Sequence, residues 1–555
     1  MEEGRSDLKE ASRLERALSA ESGGGGGDSG SDSGRKKFMR LLRLFFACMV
    51  SGGIQYGWAL QLSLLSPYSQ TLGISHTYVS LTWICGPISG FVVQPIVGYY
   101  SDRCTMRIGR RRPFILAGCL VICISVMLIG FSADIGRRLG DTKEHCSTYT
   151  GPRWSAAIVY IAGFWFLDFA NNTVQGPARA MMADISGEQF IHVLILKLDY
   201  IEPQEEEKRV IRRLRCSGTP WTQRRPGDLS LWMAIGSILG YLAGANAKWH
   251  EWFPSLKTAA CCDACANLKG AFFTAVALIV ISMTVTMLLA DEKPLYKVDV
   301  DTSSGGGWSA FGDLFKSFKN LSPAMFKVLA VTAITWLSWF PFFQYNTDWM
   351  GREIYHGDPH GKGVKADSYN AGVREGAVGL LLCSISLGVT SFLIPKLCRK
   401  LTSKVVWSIS NFLVFIIMTV MVVVGMVSMK GYRPSLSATL TGSDPTLKAI
   451  ALTIFALIGV PQAVLFSVPW VVASEVAAEE GGGQGLTVGV LNIAIVVPQL
   501  IIALTAGPID GAFNKGNTPA FGIGGAFAFI CAVLALFLLP KTRGISHAAV
   551  VASGH

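Results

Sequence analysis

Five residues of one short stretch, Asp168, Asn171, Asn172, Gln175 and Arg179, carry side chains able to take up a proton or to hydrogen-bond a hydroxyl-rich ligand. They fall at i, i+3, i+4, i+7 and i+11, which places them on one face of a helix. Asp168 comes about 13 residues, or roughly 20 Å, after an apolar run opens at Trp154, so its carboxyl sits deep along that helix. Arg179 follows by about three turns, roughly 16 Å, too far for direct pairing with Asp168. Two readings stand: a structural stripe that ties helices together, or a polar path for a proton and a substrate.

Other candidates lie elsewhere in the chain. Trp58 and Gln61, one turn apart, combine an aromatic platform with an amide that both donates and accepts. Trp336 and Trp339 repeat the aromatic half, although tryptophans in apolar helices more often pack or anchor. Asp348 and Arg352 stand at i, i+4 with Glu353 beside them, which on spacing alone reads as an exposed ion pair closing an apolar run. His76, in a polar stretch, reads alone as a solvated histidine. The stretch "GYYSDRCTMRIGRRRPF" sets Gly98, Asp102, Arg103, Gly109, Arg110 and Arg111 in one short connection, with Arg107 and Arg112 as well. No nucleophile paired with a base, metal-ligand cluster or phosphate loop is present, so an enzyme is a remote reading and no cofactor is expected.

What must position these groups is a bundle of membrane helices. Half of the residues (50%) are hydrophobic, only 16% are charged, and the mean hydropathy is +0.41. No Asp, Glu, Lys or Arg occurs from 44 to 101, room for two spans around a polar turn at 66–77. Further uncharged runs at 114–133, 154–167, 229–247, 270–290, 328–347, 376–395, 405–429, 449–474, 481–507 and 516–540 bring the expected spans to twelve. In lipid their backbone must be helical. The run at 154–167 spans only by continuing through Asp168, so the fourth helix is a polar one.

The arginine-rich connection is the most basic short one, which makes it cytoplasmic, and an even number of spans then puts both termini inside and 66–77 outside. An exterior connection with Arg137, Arg138, Lys143 and Arg153 fits that rule less well. The net charge of +11 is read as topology and contact with the lipid bilayer, not nucleic acid. The expected organisation is a flexible cytoplasmic tail at 1–40, a six-helix half at 41–290, a central cytoplasmic loop at 291–325, a second six-helix half at 326–540 and a tail at 541–555. The first tail has acidic residues where a signal peptide would be basic and apolar. Basic connections recur at matching places, 101–113 and "PKLCRKLTSK", the layout of two parallel repeats with a site between them near the bilayer midplane. Most of the 13 cysteines sit singly in apolar runs as small hydrophobes; Cys146, Cys261, Cys262 and Cys265 are exterior, and a bridge among them is open.

The ordered Gly98, Asp102, Arg103, Gly109, Arg110 and Arg111 resemble the signature loop of the major facilitator superfamily, with a longer gap between Arg103 and Gly109 than usual. That resemblance implies a cytoplasmic gate. The stretches "YGWALQLSLLSPYSQTLGISHTY", "CGPISGFVVQPIVGYYSDRC", "LDFANNTVQGPARAMMADISG", "NTDWMGREIYHG" and "GQGLTVGVLNIAIVVPQ" resemble more narrowly the plant sucrose/proton symporters, in the glycoside, pentoside and hexuronide cation symporter branch. The resemblance implies sucrose as substrate, a proton as coupling ion and the plasma membrane as location. It makes Asp168 and Arg179 essential residues, Asp348, Arg352 and Glu353 part of the transport machinery, and His76 a residue of sucrose access. Asp168 is the expected proton acceptor; Arg179, Asn172, Gln175, Trp58, Gln61 and His76 are expected at the substrate.

Two stretches depart from the family pattern. At 188–230 a charged segment, "EQFIHVLILKLDYIEPQEEEKRVIRRLRCSGTPWTQRRPGDLS", stands where the family runs into its fifth helix. It is expected to form a cytoplasmic loop outside the helical core or to reflect a misjoined coding segment. The fifth span is left marginal in length and rich in glycine, which motivates a non-transporting sugar sensor or an inactive isoform as the alternative function. Glu479 and Glu480 add two charges to the loop before span eleven, where two readings stand: pairing with the gate arginines, or simple solvation.

Overall fold

A computed structural model describes residues 39, 42–43, 45–146, 151–198, 226–246, 248–290, 292, 321–361, 363–431, 444–479, 484–513 and 516–540. The chain separates into two units, Met1–Phe46 and Ala47–His555. In the first, the rings of Phe45 and Phe46 meet edge to face at 5.4 Å. In the second, the regular structure among the described residues is helical apart from one isolated bridge between Thr258 and Cys261.

The principal helices are α1 (Met49–Leu60), α2 (Cys85–Asp102), α3 (Arg112–Gly130), α4 (Trp154–Leu198), α5 (Pro226–Ala245), α6 (Asp263–Leu289), α7 (Pro323–Trp349), α8 (Val364–Ser391), α9 (Ser403–Gly431), α10 (Pro445–Glu479), α11 (Gln484–Phe513) and α12 (Thr518–Leu538). Among the described residues, nine helical segments are long and apolar enough to cross a membrane, one each for α2, α3 and α6 to α12. The other three differ for physical reasons. α1 runs on through a π-helical turn, Gln61–Leu65, and through Ser66–Thr71, burying Gln61, Ser63, Ser66, Ser69 and Gln70. α4 carries the Asp168 stripe, and the apolar part of α5 is Trp232–Ala245 alone.

The packing repeats after six helices. α1 packs on α5 and α6, as α7 packs on α11 and α12; α3 packs on α4 and α6, as α9 packs on α10 and α12; α2 packs on α4, as α8 packs on α10. Across the halves α5 meets α8 and α2 meets α11, a pairing that the same repeat exchanges. This is the twelve-helix arrangement of two parallel repeats.

Several boundaries differ from the sequence expectation. The polar turn expected at 66–77 shrinks to the residues between Ser66–Thr71 and the short helix His76–Thr82. Its polar side chains turn inward and find partners: Ser66 Oγ accepts from Trp83 Nε1 at 2.9 Å, and Ser69 Oγ donates to Ser66 O at 2.7 Å. The charged segment expected as a loop from 188 instead continues α4 to Leu198, and α5 begins with Pro226 at its first turn, where a missing N–H costs nothing. The stretch 199–225 lies outside the described residues. The glycines that made the fifth span look weak are its contact face: a Cβ on Gly236 would stand 2.1 Å from Gly52 O, so α5 and α1 touch backbone to backbone.

At the end of the bundle near residue 72, disulfides join Cys146 to Cys262 and Cys261 to Cys265. Beside them Lys269, fully buried, pairs with Asp134 and donates to Leu256 O at 3.2 Å. Arg153 ties this cap to the helix-1 turn: its N–H donates to Leu72 O at 3.0 Å and its Nη1 to Ala260 O at 2.7 Å.

Candidate functional site

Asp168 is 1% exposed on α4, and the hydrogen bonds it accepts come from neutral donors. Gln61 Nε2 on the π-helical turn donates to Oδ1 at 2.8 Å, and the Cys85 thiol at the start of α2 donates to Oδ2 at 2.9 Å. Cys85 Sγ also lies 3.1 Å from Thr82 O, so the thiol has a second acceptor within reach. One turn along α4, Asn172 donates to Ser89 Oγ at 2.8 Å and accepts from Gln94 Nε2 at 2.6 Å. The polar face of α4 is therefore matched to polar residues of α2, as its spacing required. Gln61 Oε1 and, one turn along α4 from Asp168, Asn171 Nδ2 are buried with no protein partner, as is Trp58 Nε1 one turn before Gln61. Gln499 of α11 faces the same gap: a Cβ on Gly86 would stand 2.8 Å from its Nε2 and 3.5 Å from Asp168 Oδ2.

A second polar cluster lies farther along the same first helix. Gln70 follows Gln61 by nine positions in the sequence, roughly 13 Å along a helix, and its Nε2 donates to Asp348 Oδ1 at 2.8 Å. Asp348, fully buried, also accepts from Tyr369 OH at 2.5 Å, Asn517 Nδ2 at 2.9 Å and Arg352 Nε at 3.1 Å. Arg352 reaches Gln70 Oε1 as well. Glu353, 2% exposed, accepts the N–H of Asn517 at 2.6 Å. The exposed-loop reading of Asp348, Arg352 and Glu353 is thus overturned: α7 continues through a π-helical turn to Ile354, and every charge is met inside the bundle. His76 is not a solvated histidine either; its ring lies between Asp348 and Asp510, at 3.5 and 3.6 Å, and beside the ring of Tyr345.

The remaining candidates fall apart from these clusters. Trp336 and Trp339 sit in an aromatic pack with Phe340, Phe342 and Phe343, Trp339 stacking on Phe343 at 5.6 Å, which is a packing role. Gln175 is half-buried on α4. In the basic connection the close approach is at Gly109, not Gly98, where an added Cβ would meet nothing within 4 Å. Gly109 has φ +125°, and its missing Cβ makes room for Glu292, whose carboxylate accepts the N–H groups of Arg111 at 2.8 Å and Arg112 at 3.2 Å. Glu292 thereby caps α3 with a negative charge at its positive end. Arg103 stacks on Tyr99 at 3.8 Å, and Arg110 stands in the same loop. The side chains of Asp102, Arg179 and Glu479, and residue Glu480, lie outside the described residues.

A family model described as "MFS/sugar transport protein" matches residues 46–188. The sucrose transport protein SUT5 of Oryza sativa is 76% identical over 529 residues, 95% of this chain and 93% of that one. The chain belongs to the sucrose transport protein family. Sucrose transport protein SUC3 of Arabidopsis thaliana is 44% identical, over 92% of this chain and 90% of that one. Among solved structures, the nucleoside transporter NupG aligns with a TM-score of 0.53 at 12% identity, covering 90% of this chain and 98% of NupG. The D-xylose-proton symporter aligns at 0.51 and 13%, covering 91% and 99%. These likenesses show the fold, that of the major facilitator superfamily.

Sequence reasoning missed Gln70, Cys85, Tyr369, Asp510 and Asn517 in this family member. Asp510 carried the only available signal, a lone carboxylate just past the run at 481–507; the structure extends α11 to Phe513 and encloses it. The others are common polar residues whose partners are distant in sequence, and no spacing rule reaches them.

Proposed function

We propose that this multi-pass membrane protein imports sucrose together with a proton across the plasma membrane by alternating access, with both termini cytoplasmic. The observation that carries the reading is Asp168: a carboxyl buried on a membrane helix and held by neutral donors, with open polar atoms on Gln61 and, one turn along, on Asn171. A group so placed is suited to exchanging a proton rather than holding a permanent ion pair. Family membership supports sucrose as the substrate, and no observation favours the sensor alternative.

The residues around Asp168 have donors and acceptors for both of its states. Ionised, it takes hydrogen bonds from Gln61 and Cys85. Protonated, it becomes a donor, and Cys85 turns to Thr82 O while Gln61 Oε1 offers an acceptor to the new O–H or to a sugar hydroxyl. Asn171, Trp58 and, from the opposite half, Gln499 supply further polar contacts, while the Trp58 ring offers an apolar sugar face a platform. The Asp348 cluster joins the halves on the exterior side, which leaves Asp168 to release its proton and sugar inward. A potential of about 100 mV contributes about 2.3 kcal/mol per charge and one pH unit about 1.4 kcal/mol, a limiting accumulation on the order of several hundred-fold. No cofactor enters this cycle. Uptake of labelled sucrose into cells or vesicles, measured against external pH and voltage, tests the reading; pH- and voltage-independent uptake overturns the coupling, and no uptake at normal surface level overturns the transport.

A further inference from the structure

Asp510, on α11, is 1% exposed and belongs to the half opposite His76. Its Oδ1 accepts the Ala520 N–H at 2.9 Å, but Oδ2 has no hydrogen-bond partner and lies 3.6 Å from His76 Nε2. On the other edge of the imidazole, Nδ1 lies 3.5 Å from Asp348 Oδ2, and neither ring nitrogen makes a hydrogen bond. Buried polar atoms without a hydrogen-bond partner are rare in a native fold. The surrounding seam is tight: Gly507 N–H donates to Ser80 Oγ at 3.2 Å, and a Cβ on Gly507 would stand 2.2 Å from Thr77 O.

We propose that Asp510 and Asp348 hold His76 between them as a proton-operated latch that shuts the exterior end of the bundle. This rests on the alternating-access reading above. Against the ring stand Asp348 and Tyr345 from α7 and Asp510 from α11, with His360, from the loop after Ile354, close enough to interact with it electrostatically; Asp348 is in turn held by Arg352 and by Tyr369 from α8, and Asn517 joins it to Glu353. Arg352 pairs with Asp348, so among the described residues a neutral imidazole leaves Asp510 without a positive partner. An imidazolium bridges both carboxylates across the seam. Opening the seam removes both bridges, so an acidic exterior favours the shut state by mass action. The latch and Asp168 are separate proton sites: one operates the exterior end, the other is coupled to the sugar.

The test reads conformation without sucrose, so it stands whether or not the chain transports that sugar. Cys85 lies beside Asp168 beneath the seam, and its modification by an impermeant thiol reagent added outside reports an open exterior end. Labelling is measured by mass spectrometry in right-side-out vesicles at about pH 5.5 and about pH 7.5, each rate divided by that of the His76→Gln protein at the same pH. The wild type is expected to be protected about five-fold or more in acid relative to the higher pH. Asp510→Asn, close to isosteric, loses most of that protection, while His76→Lys is protected at both values. Equal protection of wild type and Asp510→Asn at both pH values overturns the latch, as does pH-dependent protection that survives in His76→Lys.

Discussion

Gln70 Nε2 donates to Asp348 Oδ1 at 2.8 Å, and with the bond from Arg352 to Gln70 Oε1 and that from Thr347 Oγ1 to Ser63 O at 2.9 Å it joins the first helix of one half to the first helix of the other. The first helix of each half carries a π-helical turn, Gln61–Leu65 before Gln70 and Met350–Ile354 after Asp348. A π-turn re-aims the side chains that follow or precede it, and both turns here lie next to residues that face the seam.

Replacing Gln70 with Ala removes a donor from Asp348 and an acceptor from Arg352 at once. The remaining partners, Tyr369 and Asn517, keep the cluster folded, so the cost is about 1–3 kcal/mol rather than collapse. A lower thermal inactivation temperature in detergent, with normal delivery to the membrane, is the expected result. An unchanged inactivation temperature would mean that the bond does not hold the halves together.

Gly109→Ala is expected to be more damaging than its position in a basic loop would indicate. The new Cβ would stand 2.4 Å from Glu292 Oε2, and the φ of +125° is strained for any residue with a side chain, together a loss of about 1–3 kcal/mol. Reduced melting temperature in Gly109→Ala, and a smaller loss in Gly98→Ala, checks this by thermal unfolding. Equal effects of the two substitutions would count against Glu292 as the cap of α3.

Cys146→Ser opens the bridge to Cys262, which closes a sequence separation of 116 residues. Chain entropy assigns such a link about 4–5 kcal/mol as an upper figure. Lower thermal stability is expected with the pH dependence of uptake unchanged, since the bridge touches neither Asp168 nor its donors. A changed pH profile at equal surface level would place the cap inside the coupling mechanism.

The twelve helical runs and the buried polar face of α4 were legible because each depends on local spacing; Gln61 and Asp168 were each legible by their chemistry, while their contact, across 107 residues of sequence, comes from the fold. Lipid forces helix on an apolar run, and i, i+3, i+4 spacing forces Asn171 and Asn172 to share the face of Asp168. The Asp348 trio was not legible from spacing, because charges at the end of an apolar run look the same whether the helix stops or continues inward. The difference lies in Gln70, Tyr369 and Asn517, up to 278 residues away in sequence, which supply the partners that let the helix go on. Likewise the glycines of α5 looked like weakness until Gly52 was seen opposite Gly236, and Cys146, Cys261, Cys262 and Cys265 left their pairing open until the loops were placed.

The most direct test of proton coupling at Asp168 is concentrative uptake of labelled sucrose by Asp168→Asn under an inward proton gradient. An amide hydrogen-bonds a sugar but does not exchange a proton, so the variant is predicted to bind sucrose and exchange it across the membrane while failing to accumulate it. Wild type in the same membranes is predicted to accumulate sucrose and to carry an inward current on sucrose addition. Accumulation by Asp168→Asn accompanied by proton current would contradict the mechanism and place the coupling proton on another residue.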